Sequence, residues 1–475
     1  MFIVSYWHTR HKHHTYHFRR KLRAHNFINT ITIVLVSFIF CVAMGEARSA
    51  VVDNKKNITL SAQELSKYPK ILSRALIQSV MKDDYSSVRD LLPIYSERKD
   101  SDAILIAWSK AIIASESRKY SEAIGYYRTV IAAYPKMDVA RMQLAIALFK
   151  NKDNTSALQQ FNQLRAKSEN VHINKVIDAY IEAINSRDSY SFSVGVNYLN
   201  ESNINNAPSA NARVGAWKPQ KKQSGHGFSY YLSSEKTWSL PYGFFSEARL
   251  SADGKYYTNN HKYDQATGRV SAGAGYRNVD FSIVVLPFFE QEFESDDMSS
   301  SLSVSGRTPG LRIETDYRLS PQWKLSVNGE RSKTHDDKYS KWSSNNLLLS
   351  EYLFYIPKPT SYYFFGNTYS QEHAGLKSHS FDKMKWTVGW GNEWNYGIST
   401  IMRYGIANKN YKGADFFGIK RRGEEHDIQL TFWHRDIYFA GVTPKVNISY
   451  FKNNSNHPFY NYDKTTVFLT FSKLF

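Results

Sequence analysis

The chain has almost no cysteine: Cys41 is the single cysteine among 475 residues, and it lies in an apolar stretch near the start of the sequence. A disulfide framework needs paired thiols, and a cysteine zinc site needs several thiols at a fixed spacing. Neither can form from one residue. We therefore predict a fold held together without disulfides and without cysteine-based metal sites. Cys41 also lies in the segment that we predict below to be a cleaved signal peptide, so no cysteine nucleophile is expected.

Long apolar runs are also scarce. The mean hydropathy is −0.49 and 22% of the residues are charged, which fits neither a helical membrane protein nor a disordered chain. The apolar run over residues 31–44 follows a basic segment and precedes small residues. It is shorter than the roughly 20 residues of a membrane helix, so we predict a secretory signal peptide over residues 1–47. An uncleaved N-terminal anchor is the alternative.

Motifs of catalysis are missing as well. The sequence has no Gly-x-Ser-x-Gly elbow, Walker loop or HExxH helix, so it predicts no catalytic residue, cofactor or metal. The net charge of +18 is spread in short pieces, which argues against a nucleic-acid partner. The acidic pair Glu424-Glu425 is predicted in a loop. Glu290 and Glu292 are candidates for a pore lining, and the nearby Pro287 is predicted to mark a bulge or a strand end.

What the N-terminal part does have is a repeat with a period of 34 residues. This period is typical of tetratricopeptide repeats, in which small residues let the two helices of a hairpin approach and an aromatic residue fills the gap to the next hairpin. The matched positions are Ala111, Tyr120, Ala123 and Tyr127, with Pro135 ending that copy, and then Ala145, Asn154, Ala157 and Phe161. A degenerate earlier copy is predicted at Tyr85, Val88 and Leu92, and a capping helix over residues 172–185.

The first helix of each hairpin is predicted to line a concave groove that binds a client protein. The groove residues would be Trp108, Ile112, Met142, Ile146 and Phe149. The alternative is that these side chains pack on a neighbouring helix.

After Asp188 the composition changes, since 22 of the 24 glycines and 8 of the 10 tryptophans follow it. Apolar residues now occupy every second position, as in residues 190–198, with small or polar residues between them. One face in lipid and one in water is typical of a membrane β-barrel, and an even number of strands closes the sheet. We predict fourteen antiparallel strands, beginning near Tyr190, Gly227, Phe244, Gly268, Phe281, Leu311, Trp323, Asn346, Tyr362, Lys385, Ile398, Asp427, Val446 and Thr465.

The sequence thus predicts an α + β two-domain chain. An N-terminal α-helical tetratricopeptide solenoid over residues 48–188 is followed by a 14-stranded antiparallel transmembrane β-barrel over residues 189–475. Phe471 and Phe475 in the last strand match the C-terminal signal of outer-membrane barrels, which the barrel-insertion machinery reads. Lys473 replaces the residue that such barrels usually keep apolar.

Two segments carry a resemblance to a known family. The barrel opening SFSVGVNYLNESNINNAP (residues 191–208) and the ending Phe471-Ser-Lys-Leu-Phe475 resemble the surface lipoprotein assembly modifier family. The resemblance implies a translocon in the Gram-negative outer membrane, with the repeats in the periplasm. The client of this translocon would be a surface lipoprotein or a secreted haem-carrier protein. The barrel would be surrounded by outer-membrane lipid.

We expect this chain to act as a monomer. Two other functions stay open from the residues alone. One is an exopolysaccharide export porin with periplasmic repeats, and the other is a general pore or receptor.

Overall fold

The computed structural model describes residues 62–188, 190–295, 301–437 and 442–474, and it contains two compact units. The first comprises the helices up to Asp188 together with the segment Ser239–Phe244, and the second comprises the rest of the β-structure. The predicted signal peptide and Phe475 lie outside the described residues. Among the helices in the described ranges, none is both long and apolar enough to cross a membrane.

A one-turn helix and seven longer helices make up the first unit as far as it is described. Their bounds are α1 Ala62–Leu65, α2 Pro69–Met81, α3 Tyr85–Ser96, α4 Ala103–Glu116, α5 Tyr120–Ala133, α6 Asp138–Lys150, α7 Asn154–Lys167 and α8 Val171–Arg187. The second helix of a hairpin begins twice with an aspartate cap. Asp84 accepts a hydrogen bond from the Ser87 amide at 3.2 Å, and Asp153 accepts one from the Ser156 amide at 3.2 Å.

Three hairpins share the same turn. Asp83, Arg118 and Lys152 each lie between the two helices of a hairpin and have positive φ angles of 58°, 62° and 69°. A single left-handed residue ends a helix and lets the chain reverse within a few residues. The turn at Asp83 belongs to the degenerate copy, and there Val88 and Leu92 are buried. Residues 62–188 therefore contain three tetratricopeptide-like hairpins.

The repeat positions form the core of the helical unit. Ala111, Ala123, Ala145 and Ala157 are all 0% exposed, as close helix packing requires. The ring of Phe161 is also fully buried and stacks on Tyr180 of α8, with 4.9 Å between the ring centroids. Helix α8 therefore covers the last apolar face of the stack, as predicted for a capping helix.

The second unit is a closed barrel of fourteen antiparallel strands. The bounds are β1 Tyr190–Glu201, β2 Gly225–Ser239, β3 Phe244–Tyr257, β4 Gln265–Arg277, β5 Phe281–Ser295, β6 Leu302–Arg318, β7 Trp323–Asp336, β8 Ser344–Lys358, β9 Ser361–Ala374, β10 Phe381–Glu393, β11 Ile398–Ala414, β12 Lys420–His434, β13 Val442–Ser455 and β14 Tyr462–Leu474. Each strand pairs with its neighbours in sequence, and β1 closes on β14 from Ser193↔Leu474 to Glu201↔Thr466. The predicted strand number and closure are confirmed.

Two predictions about this sheet are wrong. Glu424 and Glu425 lie within β12 and not in a loop, because both strands of the β11–β12 hairpin continue past the apolar belt into polar sequence. Pro287 lies inside β5 and marks neither a bulge nor an end. The β4–β5 register is the same on either side of Pro287, with Ser271↔Phe288 and Ala274↔Val285. The proline lacks a backbone N–H, so it interrupts the hydrogen-bond ladder without shifting the pairing of the two strands.

Alternate residues of the strands face opposite sides of the barrel wall. Apolar side chains such as Val270, Phe365 and Val388 are about half exposed on the outer face, as expected for a surface in lipid. Rings near the strand ends form part of an aromatic girdle. Trp323 of β7 stacks on Tyr355 of β8 at 4.6 Å, and Tyr355 stacks on the next strand's Tyr363 at 6.4 Å.

Candidate functional site

Among the side chains that face the lumen are an arginine from each of β3, β4 and β6. Arg249, Arg269 and Arg312 lie next to the exposed outer-face residues Leu250, Val270 and Leu311, so alternation directs their side chains inward. These guanidinium groups and four carboxylates form one connected series, which we call the arginine–glutamate chain. Its members are Glu247, Arg249, Glu314, Arg312, Glu330, Arg269 and Glu290.

Glu330 on β7 is the centre of the arginine–glutamate chain. Its carboxylate accepts hydrogen bonds from Arg269 Nη1 at 3.0 Å and Nη2 at 3.3 Å, and from Arg312 Nη1 at 3.1 Å. Each guanidinium has a second carboxylate, since Arg269 Nε donates to Glu290 at 2.7 Å and Arg312 Nε donates to Glu314 at 2.6 Å. Charges removed from bulk water are stable only when paired and hydrogen-bonded in this way. The arginine–glutamate chain thus carries three positive and four negative charges that largely offset one another.

A second charged group lies further round the barrel, on β10, β11 and β12. Lys383 Nζ donates to Glu425 at 2.5 Å, Lys385 pairs with Asp427, and Arg403 lies 3.7 Å from the same Asp427 carboxylate. Glu425 is therefore a lining residue, and its partners were not foreseen from the sequence.

Aromatic rings cover the inner wall between these groups, on β8 and β9. Phe354 and Phe364 lie 5.8 Å apart, and Tyr352 lies 6.2 Å from each of them. The ring of Phe364 lies against Gly389 of β10, where an added Cβ would come within 2.0 Å of it. Glycine is therefore required at this position for the ring to lie flat on the wall.

The lining combines charge pairs with flat aromatic surfaces. Paired charges hold water without attracting one sign of solute strongly, and aromatic faces give apolar contact. Glu290 and Glu292, predicted as candidates for a pore lining, lie on this inner face of β5, alternating with the outward Phe289.

Two residues of the predicted client groove lie in the helical core. Trp108 is 4% exposed and Ile112 is 2% exposed. The Trp108 indole donates to Gln143 Oε1 at 2.6 Å, and Gln143 in turn donates to the Val80 carbonyl at 3.1 Å. The contact between Trp108 and Gln143 holds neighbouring hairpins together. Trp108 and Ile112 are both buried in the core, so they do not line an exposed groove.

The other three groove residues are half-buried against the same core: Met142, Ile146 and Phe149. Phe149 is covered in part, because the Arg187 guanidinium lies 3.8 Å from its ring centroid and Tyr180 meets it edge-on at 5.1 Å. The accessible apolar surface of the predicted groove is therefore provided by Met142 and Ile146.

Ionisable groups at the hairpin turns have shifted pKa values. Burial raises the pKa of the Asp83 carboxyl above its usual range. The Ser87 hydroxyl, which donates to Asp84 at 2.7 Å, lowers the pKa of that capping carboxyl. These shifts follow from the packing of the turns.

Within the described residues, no group of three or more His, Cys, Asp or Glu side chains is placed to hold a metal ion.

The predicted barrel signal is described only in part. Phe471 lies on the outer face of β14, 45% exposed, and pairs with Val196 of β1 and Pro444 of β13. Phe475 lies outside the described residues.

Two family models match the chain. The one described as surface lipoprotein assembly modifier matches residues 190–475, and the one described as its N-terminal TPR repeats matches residues 58–161. The surface lipoprotein assembly modifier of Pasteurella multocida is 36% identical over 441 residues, covering 89% of this chain and 86% of that protein. The hemophilin secretion modulator of Acinetobacter baumannii is 21% identical, covering 86% and 87%. A solved anion-selective porin from Comamonas acidovorans aligns at 10% identity with a TM-score of 0.34, over 60% of this chain and 99% of the porin.

Proposed function

The chain belongs to the surface lipoprotein assembly modifier family, and on that premise we propose that it delivers particular lipoproteins, or related haem-acquisition proteins, across the outer membrane to the cell surface. The barrel resides in the Gram-negative outer membrane, and the helical unit works in the periplasm. The family is one of transport and assembly factors, and no catalytic step is part of the proposal.

The observation that carries this function is the combination of a repeat unit with a barrel whose lining is polar, internally paired and partly aromatic. Repeat arrays bind peptides and proteins on their exposed surfaces. In this chain Met142 and Ile146 are the half-buried apolar side chains at which we propose client contact. A lining in which Arg249, Arg269 and Arg312 already have carboxylate partners suits passage of a protein better than selection of a small ion.

The client is a lipoprotein or a soluble haem carrier, in line with the names of the two relatives above. We propose that a single chain does this work in outer-membrane lipid, after the barrel-insertion machinery has assembled it. Within the client class, we expect specificity to lie in the helical unit.

The test is surface display in a strain that lacks this chain. A lipoprotein encoded beside its gene is followed by surface antibody labelling of intact cells and by immunoblot of whole cells. We expect the labelling to be lost while the total amount of lipoprotein persists, and both to return with the full chain. Unchanged labelling of every candidate lipoprotein would refute the proposal, and loss of surface polysaccharide alone would favour a glycan exporter.

A further inference from the structure

Glu351 faces the lipid side of the barrel. Along β8, Leu347 and Leu349 are 41% exposed on the outer wall, and Glu351 is exposed on the same face. Its partners across the ladder are Val327 on β7 and Asn367 on β9. In the described part of the chain Glu351 has no hydrogen bond or ion pair.

The depth of Glu351 follows from the girdle. It lies four residues along β8 from Tyr355, which stacks on Trp323 at the strand ends. A tilted strand rises about 2.5 Å per residue along the membrane normal, so Glu351 lies about 10 Å above this girdle in an apolar band about 25 Å tall. An ionisable side chain at that depth and on that face is costly, and such residues are usually functional.

A second polar group lies beside it. Asn367 is directly opposite Glu351, and its Oδ1 is buried without a hydrogen-bond partner among the described residues. On the other side, Gly329 of β7 pairs with Leu349, and nothing lies within 4 Å of the place where its Cβ would be. We call Glu351, Asn367 and the open surface over Gly329 the outer-wall notch.

We propose that the outer-wall notch binds the acylated N-terminus of a client lipoprotein while its lipid anchor crosses the membrane; this inference rests on the proposed function. The notch lies in hydrocarbon, so its occupant is embedded in the membrane. Glu351 presents exposed carboxyl oxygens as acceptors, so the occupant brings N–H donors. An N-acylated, diacylglyceryl cysteine has amide N–H groups at the point where its chains join, and one chain can lie over Gly329.

Other occupants fit these observations less well. The ester groups of a glycerophospholipid are acceptors only, so they have no N–H to donate to Glu351. A second copy of the chain could offer an Asn367 amide to Glu351, but this contact would not account for the open surface over Gly329. A crossing lipid anchor explains both the depth and the acceptor character.

The direct test uses the full chain reconstituted in phosphatidylglycerol vesicles, with photoreactive benzoylphenylalanine in place of Leu349. The probe is a labelled tripalmitoyl-cysteinyl peptide. We expect a covalent adduct that falls about fivefold in Glu351→Leu, the change expected for one lost hydrogen bond, and that largely persists in Glu351→Gln, which keeps an acceptor. The matched control carries the photoreactive residue in place of Val270 on the outer wall of β4, where Glu351→Leu should change nothing.

Three results would overturn the inference. They are an equal adduct yield in Glu351→Leu, equal labelling by a dipalmitoyl phospholipid probe, or adducts that join two copies of the chain. Heat-dependent gel mobility reports whether each variant is folded.

Surface display of a lipoprotein then separates this inference from the proposed function. If display depends on the chain but Glu351→Leu supports it fully, the notch proposal fails and the proposed function stands. If deletion of the chain leaves display unchanged, the proposed function itself is refuted.

Discussion

Removing the central carboxylate of the arginine–glutamate chain tests whether the charged lining is held by its own pairs. In Glu330→Ala, Arg269 and Arg312 each lose one of their two carboxylate partners, and three hydrogen bonds of 3.0–3.3 Å disappear. The side chain of Glu330 is 13% exposed, so solvent screens these contacts only partly.

The loss of unfolding free energy in Glu330→Ala can be bounded from these contacts. Two unit charges about 4 Å apart interact by about 4 kcal/mol at an effective dielectric of 20. Both arginines keep another carboxylate and luminal water solvates what remains, so we expect Glu330→Ala to lower the free energy of unfolding by about 2–3 kcal/mol. Glu330→Gln keeps an acceptor and should lose less. The loss of one negative charge should also shift ion selectivity toward anions.

The assay is urea unfolding of the full chain in lipid vesicles, followed by tryptophan fluorescence, with reversal potentials recorded in planar bilayers. Glu292→Ala is the matched control, because Glu292 faces the same lumen but has no ion pair in the described residues. Equal shifts in Glu330→Ala and Glu292→Ala would show that the pairs contribute nothing beyond luminal charge, and would refute the reasoning.

Three further predictions concern the helical unit and a loop. Phe161→Ala should destabilise the helices by about 3–5 kcal/mol, seen as faster amide exchange, whereas the half-buried Ile146→Ala should cost clearly less. Lys152→Val at the left-handed turn should cost about 1–2 kcal/mol in thermal unfolding, and Lys152→Gly should not. Burial lowers the pKa of His457, in the loop between β13 and β14. Its neutral form therefore stabilises the loop above the unfolded pKa of about 6.5. This contribution is lost as pH falls through the lower folded pKa, and amide exchange at Phe459 should rise in acid in the native chain but not in His457→Gln.

The strands were predictable because lipid and water force a two-residue alternation on every one of them. The starts at Tyr190, Phe281 and Trp323 are observed where they were predicted, while β6 begins at Leu302, ahead of the predicted Leu311. The first residues of β6, before Leu311, are largely polar and lack the alternation of the apolar belt, so the sequence did not identify them as strand.

Contacts across strands could not be predicted in the same way. Alternation shows that Arg269 faces inward, but its partner Glu330 is 61 residues away and is fixed by the register of the sheet. Glu424-Glu425 was predicted in a loop for a related reason, since polar sequence on both faces of β12 resembles a turn.

The helical unit shows the same limit. The period of 34 predicted the buried alanines at positions 111, 123, 145 and 157, yet it did not separate inner from outer side chains of the first helices. Trp108 is buried because Gln143 on the next hairpin satisfies its indole nitrogen, a pairing that no single repeat contains.

The closed ladder has a consequence for how a lipid-anchored protein could use both surfaces. The lumen and the lipid-facing wall are separated by an uninterrupted circle of strands, joined between β1 and β14 by nine residue pairs. A polypeptide inside and its fatty acyl chains outside are parts of one covalent molecule, so the segment that joins them must pass round an end of the barrel or between two strands that stand apart. Parting them exposes backbone amides to hydrocarbon, and we expect that step to be the slowest and most temperature-sensitive in the cycle.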